Sequence, residues 1–425
     1  MTKFVRNILF DRYHDIQNRI YISNLCSSLI YSIQSALLLL VVTRVGGLYQ
    51  AGIFSILYTV TQTLASLGSY SMRSFQVSDA KNEYSFNQYY SSRVVTCLIM
   101  LLICLAYAII NHLSMEQIGI VLSFGVYRAV DGMEDVYHGF VQKEGRLDVS
   151  SIAMSIRIVF SVIAFVVAYI LSRNLLTASI FLSLVSLLVY LYLTYIIKLE
   201  YSDLHTSFGH SKVFSLLWTC FPIFAGAILY NYLVNVPKYS IDRVLNQETQ
   251  TIFNIIFMPI FVINVLSSMV FKPMIVYMSV WWKEKKIRKI AWAICKQCAI
   301  ILFLTMSVAV CGYLFGCQIL GLIYGVNLIQ YRSLFAGLLM LGGVAALGTF
   351  FSVILTIMRK QGYIIWGYLA SLACSWFFID RIVKKWGIYG AGIGYGMVMS
   401  VATLFFSLCI IIGIFIEIKG RKRSS

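Results

Sequence analysis

Charged residues are scarce in this sequence of 425 residues, at 12%, whereas apolar residues make up 60% and the mean hydropathy is +0.81. No polar stretch between the apolar runs is long enough to fold into a domain of its own. A soluble globular protein typically carries about 25% charged residues, so this composition excludes that class. The chain therefore belongs in a membrane.

Signatures of common enzymes and metalloproteins are also lacking. Of five histidines, only His138 lies near an apolar run with acids beside it, and no Walker A sequence for ATP hydrolysis occurs. The ten cysteines follow no disulfide pattern. Cys295 and Cys298 form a single C-x-x-C without a second pair or a nearby histidine, which is weak support for a metal. We therefore expect no metal site, no cofactor and no catalytic residues.

About twelve apolar runs fill the chain, each near the ~20 residues that an α-helix needs to cross ~30 Å of hydrocarbon. The first is too long for a signal peptide and has no small-residue cleavage site, so we expect an uncleaved helix. The fold class predicted is an all-α integral membrane protein. The spans are expected at 20–42, 50–71, 94–111, 117–138, 152–171, 175–197, 214–236, 251–271, 290–314, 333–357, 362–381 and 390–416.

The distribution of basic residues predicts the orientation of the chain. If the N-terminus is cytoplasmic, 23 of the 34 lysines and arginines lie in inner segments, eight in outer segments and three within spans. Lysine and arginine accumulate on the cytoplasmic side of membrane proteins. We therefore expect both termini in the cytoplasm. The basic runs at 283–289 and 420–423 are interpreted as contacts with anionic lipid headgroups and not with nucleic acid.

An internal repeat with an offset of 199 residues divides the chain into two halves. Two matches indicate it: Thr43-Arg44-Val45 with Asp242-Arg243-Val244, and Ile53-Phe54-Ser55-Ile56 with Ile252-Phe253-Asn254-Ile255. Both halves start on the same side of the membrane, which predicts a parallel duplication of six helices. The domains expected are an N-terminal lobe at 1–197, a cytoplasmic linker at 198–212 and a C-terminal lobe at 213–425.

The sequence has only four prolines, and all lie in the first hairpin of the second half. A proline inside a helix removes a backbone hydrogen bond and kinks the helix. Pro222 and Pro259 lie deep in helices seven and eight and are expected to kink them. Pro237 and Pro273 are expected at helix ends.

Charged residues in or beside spans are costly and usually face a wet or protein-lined interior. The fourth helix carries five such residues, and the fifth carries Arg157. Helical spacing places Arg128, Asp131 and Asp135 on one side of the fourth helix, and Glu134 and His138 four residues apart on another. Two interpretations remain open: a self-paired network that joins helices four and five, or contact with a coupling ion or substrate.

A second group of charges is cationic, with no acids of matching number nearby in sequence except Asp79 and Asp242. Its members are Arg44, Arg73, Arg243 and Lys272. Such an unbalanced cationic lining suits an anionic substrate. Amide side chains occur in the first predicted helix and again in the seventh. They suit contact with sugar hydroxyls, or pairing between helices. These are Asn24, Gln34, Asn231 and Asn235.

Three segments, together with the twelve-helix layout, resemble bacterial polysaccharide repeat-unit flippases of the O-antigen and capsule (Wzx) type. They are Arg44-Val-Gly-Gly with Ala51-Gly52-Ile53-Phe54, Gly139-Phe-Val-Gln142-Lys-Glu-Gly145-Arg146, and Asn235-Val-Pro237-Lys238-Tyr239-Ser-Ile-Asp242. These flippases belong to the multidrug/oligosaccharidyl-lipid/polysaccharide (MOP) superfamily. The resemblance covers about residues 15–417. It implies two six-helix lobes around a cationic cavity lined by helices one, two, seven and eight, and it adds Lys238 to the expected substrate-binding residues.

The resemblance implies a flippase that moves polyprenyl-diphosphate-linked oligosaccharide from the inner to the outer leaflet of the bacterial cytoplasmic membrane by alternating access. The expected partners are the glycan lipid, membrane lipids, a coupling proton or sodium ion, and a glycan polymerase or glycosyltransferases. Two alternatives remain: a multidrug exporter of the same superfamily, and an integral-membrane polysaccharide polymerase or transferase. A drug exporter normally needs cavity acids, which only the fourth helix supplies. An enzyme of that kind is expected to have a larger outer loop or an embedded catalytic histidine.

Overall fold

The computed structural model describes residues 2–10, 16–79, 83–201, 204, 212–271 and 274–424, and within them the secondary structure is helical. Lys272, Pro273 and most of the predicted linker at 198–212 lie outside the described residues. The helices are α1 Thr2–Phe10, α2 Ile16–Ser69, α3 Met72–Ser78, α4 Phe86–Ile110, α5 Met115–Lys143, α6 Leu147–Ser172, α7 Leu175–Glu200, α8 Val213–Val244, α9 Gln247–Phe257, α10 Ile260–Phe271, α11 Met274–Lys283, α12 Ile287–Cys311, α13 Cys317–Tyr324, α14 Arg332–Ile357 and α15 Gly362–Ser424.

The two longest helices are each broken by a glycine. α2 leaves helical geometry at Gly47 (φ 80°, ψ 179°), and α15 does so at Gly387 (φ 56°, ψ −135°). Positive φ is costly for any residue with a Cβ, so glycine suits both breaks. At ~1.5 Å per residue, each element is far longer than ~30 Å of hydrocarbon, so each supplies two spans.

The described helices therefore supply about twelve spans, six in each half, which confirms the fold class. The first half uses α2 twice and then α4 to α7. The second uses α8, α9 with α10, α12, α14 and then α15 twice. In both halves a short helix, α3 or α11, follows the second span. This shared order agrees with the internal repeat.

The chain divides into two compact units, Met1–Ile228 and Leu229–Ser425. The first includes the start of α8, because Leu216 and Cys220 are buried in a cluster with Met72, Tyr89 and Val136. The boundary thus falls inside α8 and not in the polar stretch before it. The domain limits drawn from the sequence stay a prediction.

In the first unit, α5 is the central helix and contacts α2, α4, α6 and α7. Buried aromatic rings join these helices: Phe54 and Tyr58 of α2 both meet Phe124 of α5 edge to face, at 5.6 and 5.4 Å between centroids. Phe165 of α6 packs on Phe54 at 6.1 Å. Such edge-to-face pairs favour close packing of large rings. This aromatic layer fixes α5 and the charged residues that follow Phe124 along it.

In the second unit, α14 is the central helix and packs against α9, α10, α12 and α15. Gly392 and Gly396 of α15 lie so close to α14 that a Cβ would stand 2.8 Å from Leu334 and 2.7 Å from Leu341. Glycines that allow such approach are typical of helix contacts in membranes. The glycine-rich run 387–396 therefore serves packing and the helix break.

The prolines behave differently from one another. Pro259 separates α9 from α10, where the helix ladder is interrupted, as expected for a proline deep in a span. Pro222 lies inside α8, whose helix continues past it. Pro237 also lies within α8, so its expected place at a helix end was wrong. The helix continues to Val244, and consequently Lys238 is a helical residue and not part of a loop.

Candidate functional site

The charged residues of α5 come together with basic residues from three other helices. Arg157 of α6 donates from Nε to Glu134 Oε2 at 2.7 Å and from Nη1 to Ser186 Oγ of α7 at 2.9 Å. Its Nη2 donates to Asp131 Oδ1. One guanidinium thus joins α5, α6 and α7, because its donors form a planar fork that can serve several acceptors at once.

Within α5, the pairs expected from helical spacing are close. Arg128 Nη1 donates to Asp131 Oδ2 at 2.9 Å, three residues along the helix. His138 Nε2 lies 3.6 Å from Glu134 Oε1, one turn along. Arg128 also lies over the ring of Tyr58, with Cζ 4.7 Å from the centroid. This cation–π contact stabilises a guanidinium that is removed from water.

Asp135 is the meeting point of two further arginines. Arg93 of α4 donates from Nη2 to Asp135 Oδ2 at 2.9 Å and from Nη1 to the carbonyl oxygen of Gly68 at 3.2 Å. Arg73 of α3 donates to Asp135 Oδ1 at 3.4 Å and to Gln142 Oε1 at 3.0 Å. These contacts connect α2, α3, α4 and α5. Arg73 thus has an acidic partner 62 residues away in sequence, contrary to the expectation that it belongs to an unbalanced cationic lining.

Gln34 belongs to the same region, since its Oε1 accepts a hydrogen bond of 2.6 Å from the Tyr127 hydroxyl. The Tyr127 ring also lies 5.5 Å from Cζ of Arg157. Helix α2 is thereby linked to α5 and α6. We call the arginines, acids and His138 together the α5 network; they are Arg73, Arg93, Arg128, Asp131, Glu134, Asp135, His138 and Arg157.

The α5 network has a formal charge of +1, with four arginines, three carboxylates and a neutral histidine. Arg93 is fully buried, and Arg128, Arg157 and Glu134 are nearly so. A buried charge is costly unless an opposite charge pairs with it. Because each carboxylate of the network meets at least one arginine, none is left as an unpaired anion to attract a cationic substrate.

Asp79, in the loop after α3, is not the partner of Arg73. It accepts from the backbone amides of Glu83 at 3.0 Å and Tyr84 at 3.2 Å, and from the Tyr89 hydroxyl at 3.2 Å. Burial raises the pKa of the Asp79 carboxyl, but these hydrogen bonds and nearby Lys143 outweigh it and leave the pKa below its usual value. Asp79 thereby joins the end of α3 to Glu83, Tyr84 and Tyr89 near the start of α4.

In the second unit, Lys238 of α8 is a buried cation, with 7% of its surface exposed. Its Nζ lies over the ring of Phe257, 5.2 Å from the centroid, and Phe257 packs edge to face on Tyr395. The ion pairs of this unit among the described residues are Arg243–Asp380, Lys285–Glu417 and Lys286–Glu284, and none includes Lys238. Its contact with an aromatic face is weaker compensation than a carboxylate would be.

Arg243 forms a two-pronged pair with Asp380 of α15, Nη2 to Oδ1 at 2.8 Å and Nε to Oδ2 at 3.2 Å. Ser240 also donates to Asp380 at 2.6 Å. Arg243 thus has an acidic partner 137 residues away in sequence, contrary to the expectation that it belongs to an unbalanced cationic lining. Its sequence neighbour Asp242 instead accepts from Gln247 at 3.0 Å. Because Arg243 is exposed and Asp380 is partly exposed, their pair is accessible to a ligand.

The remaining predicted residues are less tightly grouped. Arg44 and Asn24 are exposed on α2, and Arg173 donates to the carbonyl of Val45 at 2.9 Å, which brings a second cation to the end of the first span. On α8, the Asn235 amide donates to the carbonyl of Asn231 one turn earlier, at 3.0 Å.

One functional candidate, Arg93, was misjudged from the sequence. Arg93 was counted with the inner loops, but α4 begins at Phe86 and buries it. The signal was its place directly before the apolar run at 94–111. No group of three histidines, cysteines or acids with metal-binding geometry occurs in the described part of the chain.

Comparison with known proteins gives a coherent result. No family model matches. The capsular polysaccharide biosynthesis protein CapF of Staphylococcus aureus is 25% identical over 407 residues, which cover 92% of this chain and 97% of CapF. An inward-facing multidrug resistance MATE family transporter of the MOP superfamily superposes with a TM-score of 0.67 at 13% identity, over 91% of this chain and 96% of that one. This is a multi-pass membrane protein with the fold of that MATE transporter. A MATE transporter in complex with MaL6 gives a TM-score of 0.62 at 14% identity, over 97% and 99% of the two chains.

Proposed function

We propose that this protein is a flippase that moves polyprenyl-diphosphate-linked oligosaccharide from the inner to the outer leaflet of a bacterial cytoplasmic membrane by alternating access. The observation that carries the proposal is the excess of positive charge inside the spans, above all Lys238, for which no ion-pair partner occurs among the described residues. A buried cation is retained in a membrane when it has a functional anionic partner. A diphosphate is such a partner.

The similarity to CapF supports a glycan as the rest of the substrate, since that protein is named for capsular polysaccharide biosynthesis.

Multidrug export is the second candidate, because the fold is also that of MATE transporters. The α5 network argues against multidrug export, since each of its three acids forms an ion pair with an arginine. Uptake of a cationic dye into inverted vesicles distinguishes the two candidates.

The proposed function includes partners and roles that follow from it. We assign diphosphate attraction to Arg44, Arg243, Lys238 and, outside the described residues, Lys272. The amides of Asn24, Gln34, Asn231 and Asn235 are proposed to contact sugar hydroxyls. The coupling ion is a proton or sodium, and the product passes to a glycan polymerase. The α5 network is proposed to hold the first unit together while transport proceeds.

The role of Arg243 can be separated from that of its ion pair. Arg243→Ala removes the cation, and Asp380→Asn keeps the cation but removes its carboxylate. If Arg243 attracts diphosphate, the first change is expected to lower export about tenfold or more, because a charge-assisted hydrogen bond contributes about 1.5–3 kcal/mol. The second is expected to preserve export. The measurement is appearance of lectin-accessible glycan on proteoliposomes loaded with the lipid-linked oligosaccharide.

Equal losses in the two variants would mean that Arg243 acts only through its pair with Asp380. Arg288→Ala is the matched control, because Arg288 is exposed in a basic inner segment and should not affect export. Arg243→Lys should retain part of the export, since the charge remains while the bidentate geometry is lost.

The predicted orientation has a direct test. A C-terminal reporter that is active only in the cytoplasm should function, and a cysteine placed at Glu248, an exposed residue at the start of α9, should react with a membrane-impermeant maleimide added outside intact cells. The unsubstituted protein gives the background from native cysteines. Labelling of a C-terminal cysteine from outside would contradict the orientation.

A further inference from the structure

A cavity of about 440 Å³ lies on the first unit between α4, α5 and α7, away from the α5 network. Its wall from α4 includes Leu98 and Leu101, its floor is formed by Ala129 and Met133 of α5, and Leu191 belongs to the wall from α7. The lining is therefore largely apolar. Such an apolar lining suits a hydrocarbon chain better than a sugar or a free ion.

The rim of the cavity is open towards hydrocarbon. Leu98 and Leu191 are 55% and 54% exposed in the whole chain, and neighbouring Leu102 and Leu188 on the same two helices are exposed as well. In a membrane protein, such apolar side chains contact lipid chains. A lipid chain can consequently enter the cavity sideways from the bilayer.

One end of the cavity has a different chemistry. Lys198, close to the end of α7, lies there with its Nζ 5.9 Å from the centroid of the Tyr137 ring. Tyr90, Tyr190 and Tyr195 line the same end, each with a hydroxyl able to donate. Tyrosine and lysine at this depth are typical of the headgroup level, and the charge distribution predicts that this is the cytoplasmic end. A lysine with several tyrosine hydroxyls suits one phosphate group.

The floor of the cavity is the back of the helix that carries the α5 network. Ala129 and Met133 alternate along α5 with Arg128, Asp131 and Glu134. Cys97 of α4 lines the cavity and also approaches the carbonyl oxygens of Ala129 and Gly68 at 3.6 and 3.9 Å. An occupant would therefore brace α4 against α5 at the level where Arg93 meets Asp135.

We propose that this cavity is a binding site for an anionic phospholipid of the inner leaflet, with one acyl chain between α4 and α7 and the phosphate at Lys198. The site lies on the first unit alone, so the proposal does not depend on glycan transport. Lys198 is the one cation among the described residues that line the cavity, which favours a phospholipid monoester or diester over a diphosphate. Complementarity between Lys198 and a negative headgroup distinguishes the cavity from a site for zwitterionic lipid.

The test compares phosphatidylglycerol and phosphatidylcholine of identical chains, added to the full-length protein in detergent and measured by native mass spectrometry. We expect phosphatidylglycerol to bind wild type more tightly and to raise its unfolding temperature. Lys198→Gln should weaken phosphatidylglycerol binding about fivefold, as expected for one basic residue at an anionic headgroup, and leave phosphatidylcholine unchanged.

Two further variants make the result decisive. Ala129→Leu fills part of the cavity and should weaken the binding of both lipids. Lys296→Gln removes a lysine that also lies over an aromatic ring, that of Trp292, and should weaken the binding of neither lipid. Equal affinity of wild type for the two lipids, or equal effects of Lys198→Gln and Lys296→Gln, would overturn the proposal. So would displacement of phosphatidylglycerol by a lower concentration of polyprenyl phosphate.

Discussion

Replacing Lys238 by methionine is expected to reduce glycan export by roughly 10- to 150-fold, because one charge-assisted hydrogen bond to a phosphate contributes about 1.5–3 kcal/mol. Methionine retains an unbranched apolar stem and can keep the packing against Phe257. Removing a charge from a membrane span lowers the cost of insertion, so the amount of protein in the membrane should stay equal or rise. Export by cells that lack their own flippase, normalised to protein amount, measures the effect.

The effects of charge and of side-chain shape on export can be separated at Lys238. Lys238→Arg retains the cation and should keep part of the export, although the larger guanidinium must fit a buried place. Lys296→Met is the matched control, since Lys296 is also a lysine over an aromatic ring but has no assigned role. Wild-type export by Lys238→Met would exclude Lys238 from substrate attraction and remove the main support for an anionic substrate.

The sequence predicted the spans well because the bilayer imposes a length and a hydropathy on each of them. It predicted helix ends less well. α8 was expected to stop near Pro237, yet the helix continues to Val244. A proline lacks only one donor, and the loss can be tolerated in a span supported by its neighbours. Lys238 was consequently expected in a loop, although it is a buried helical residue.

Charge pairs could be predicted only where they are local. The contact between Arg128 and Asp131 follows from helical periodicity, and the structure has it at 2.9 Å. The pairs of Arg73 with Asp135 and of Arg243 with Asp380 connect residues 62 and 137 positions apart. No periodicity relates such residues, since helix packing brings them together. Counting acids near each arginine in sequence therefore overestimated the unpaired charge.

Removal of Arg157 is expected to have the largest effect on folding. Arg157→Met leaves Glu134 without its 2.7 Å partner and Asp131 with Arg128 alone. Breaking a buried ion pair from one side typically costs about 3–5 kcal/mol, because the other charge remains buried. The purified variant should unfold at a lower temperature, and less of it should reach the membrane. Thermal unfolding of the detergent-solubilised protein, followed by loss of the monodisperse peak, measures the change.

A second substitution shows whether the uncompensated charge causes the loss. Glu134→Gln in the Arg157→Met background removes the stranded carboxylate and should restore a substantial part of the stability, since replacing both partners of a buried pair costs less than removing one. Arg173→Met is the matched control: Arg173 follows the same helix, is exposed, and among the described residues donates to a backbone carbonyl. Its loss should change stability by no more than about 0.5 kcal/mol. If Arg157→Met unfolds at the wild-type temperature, the contacts of Arg157 with Glu134 and Ser186 do not hold α5, α6 and α7 together, and a role in substrate or ion contact becomes the better explanation for a buried arginine at that place.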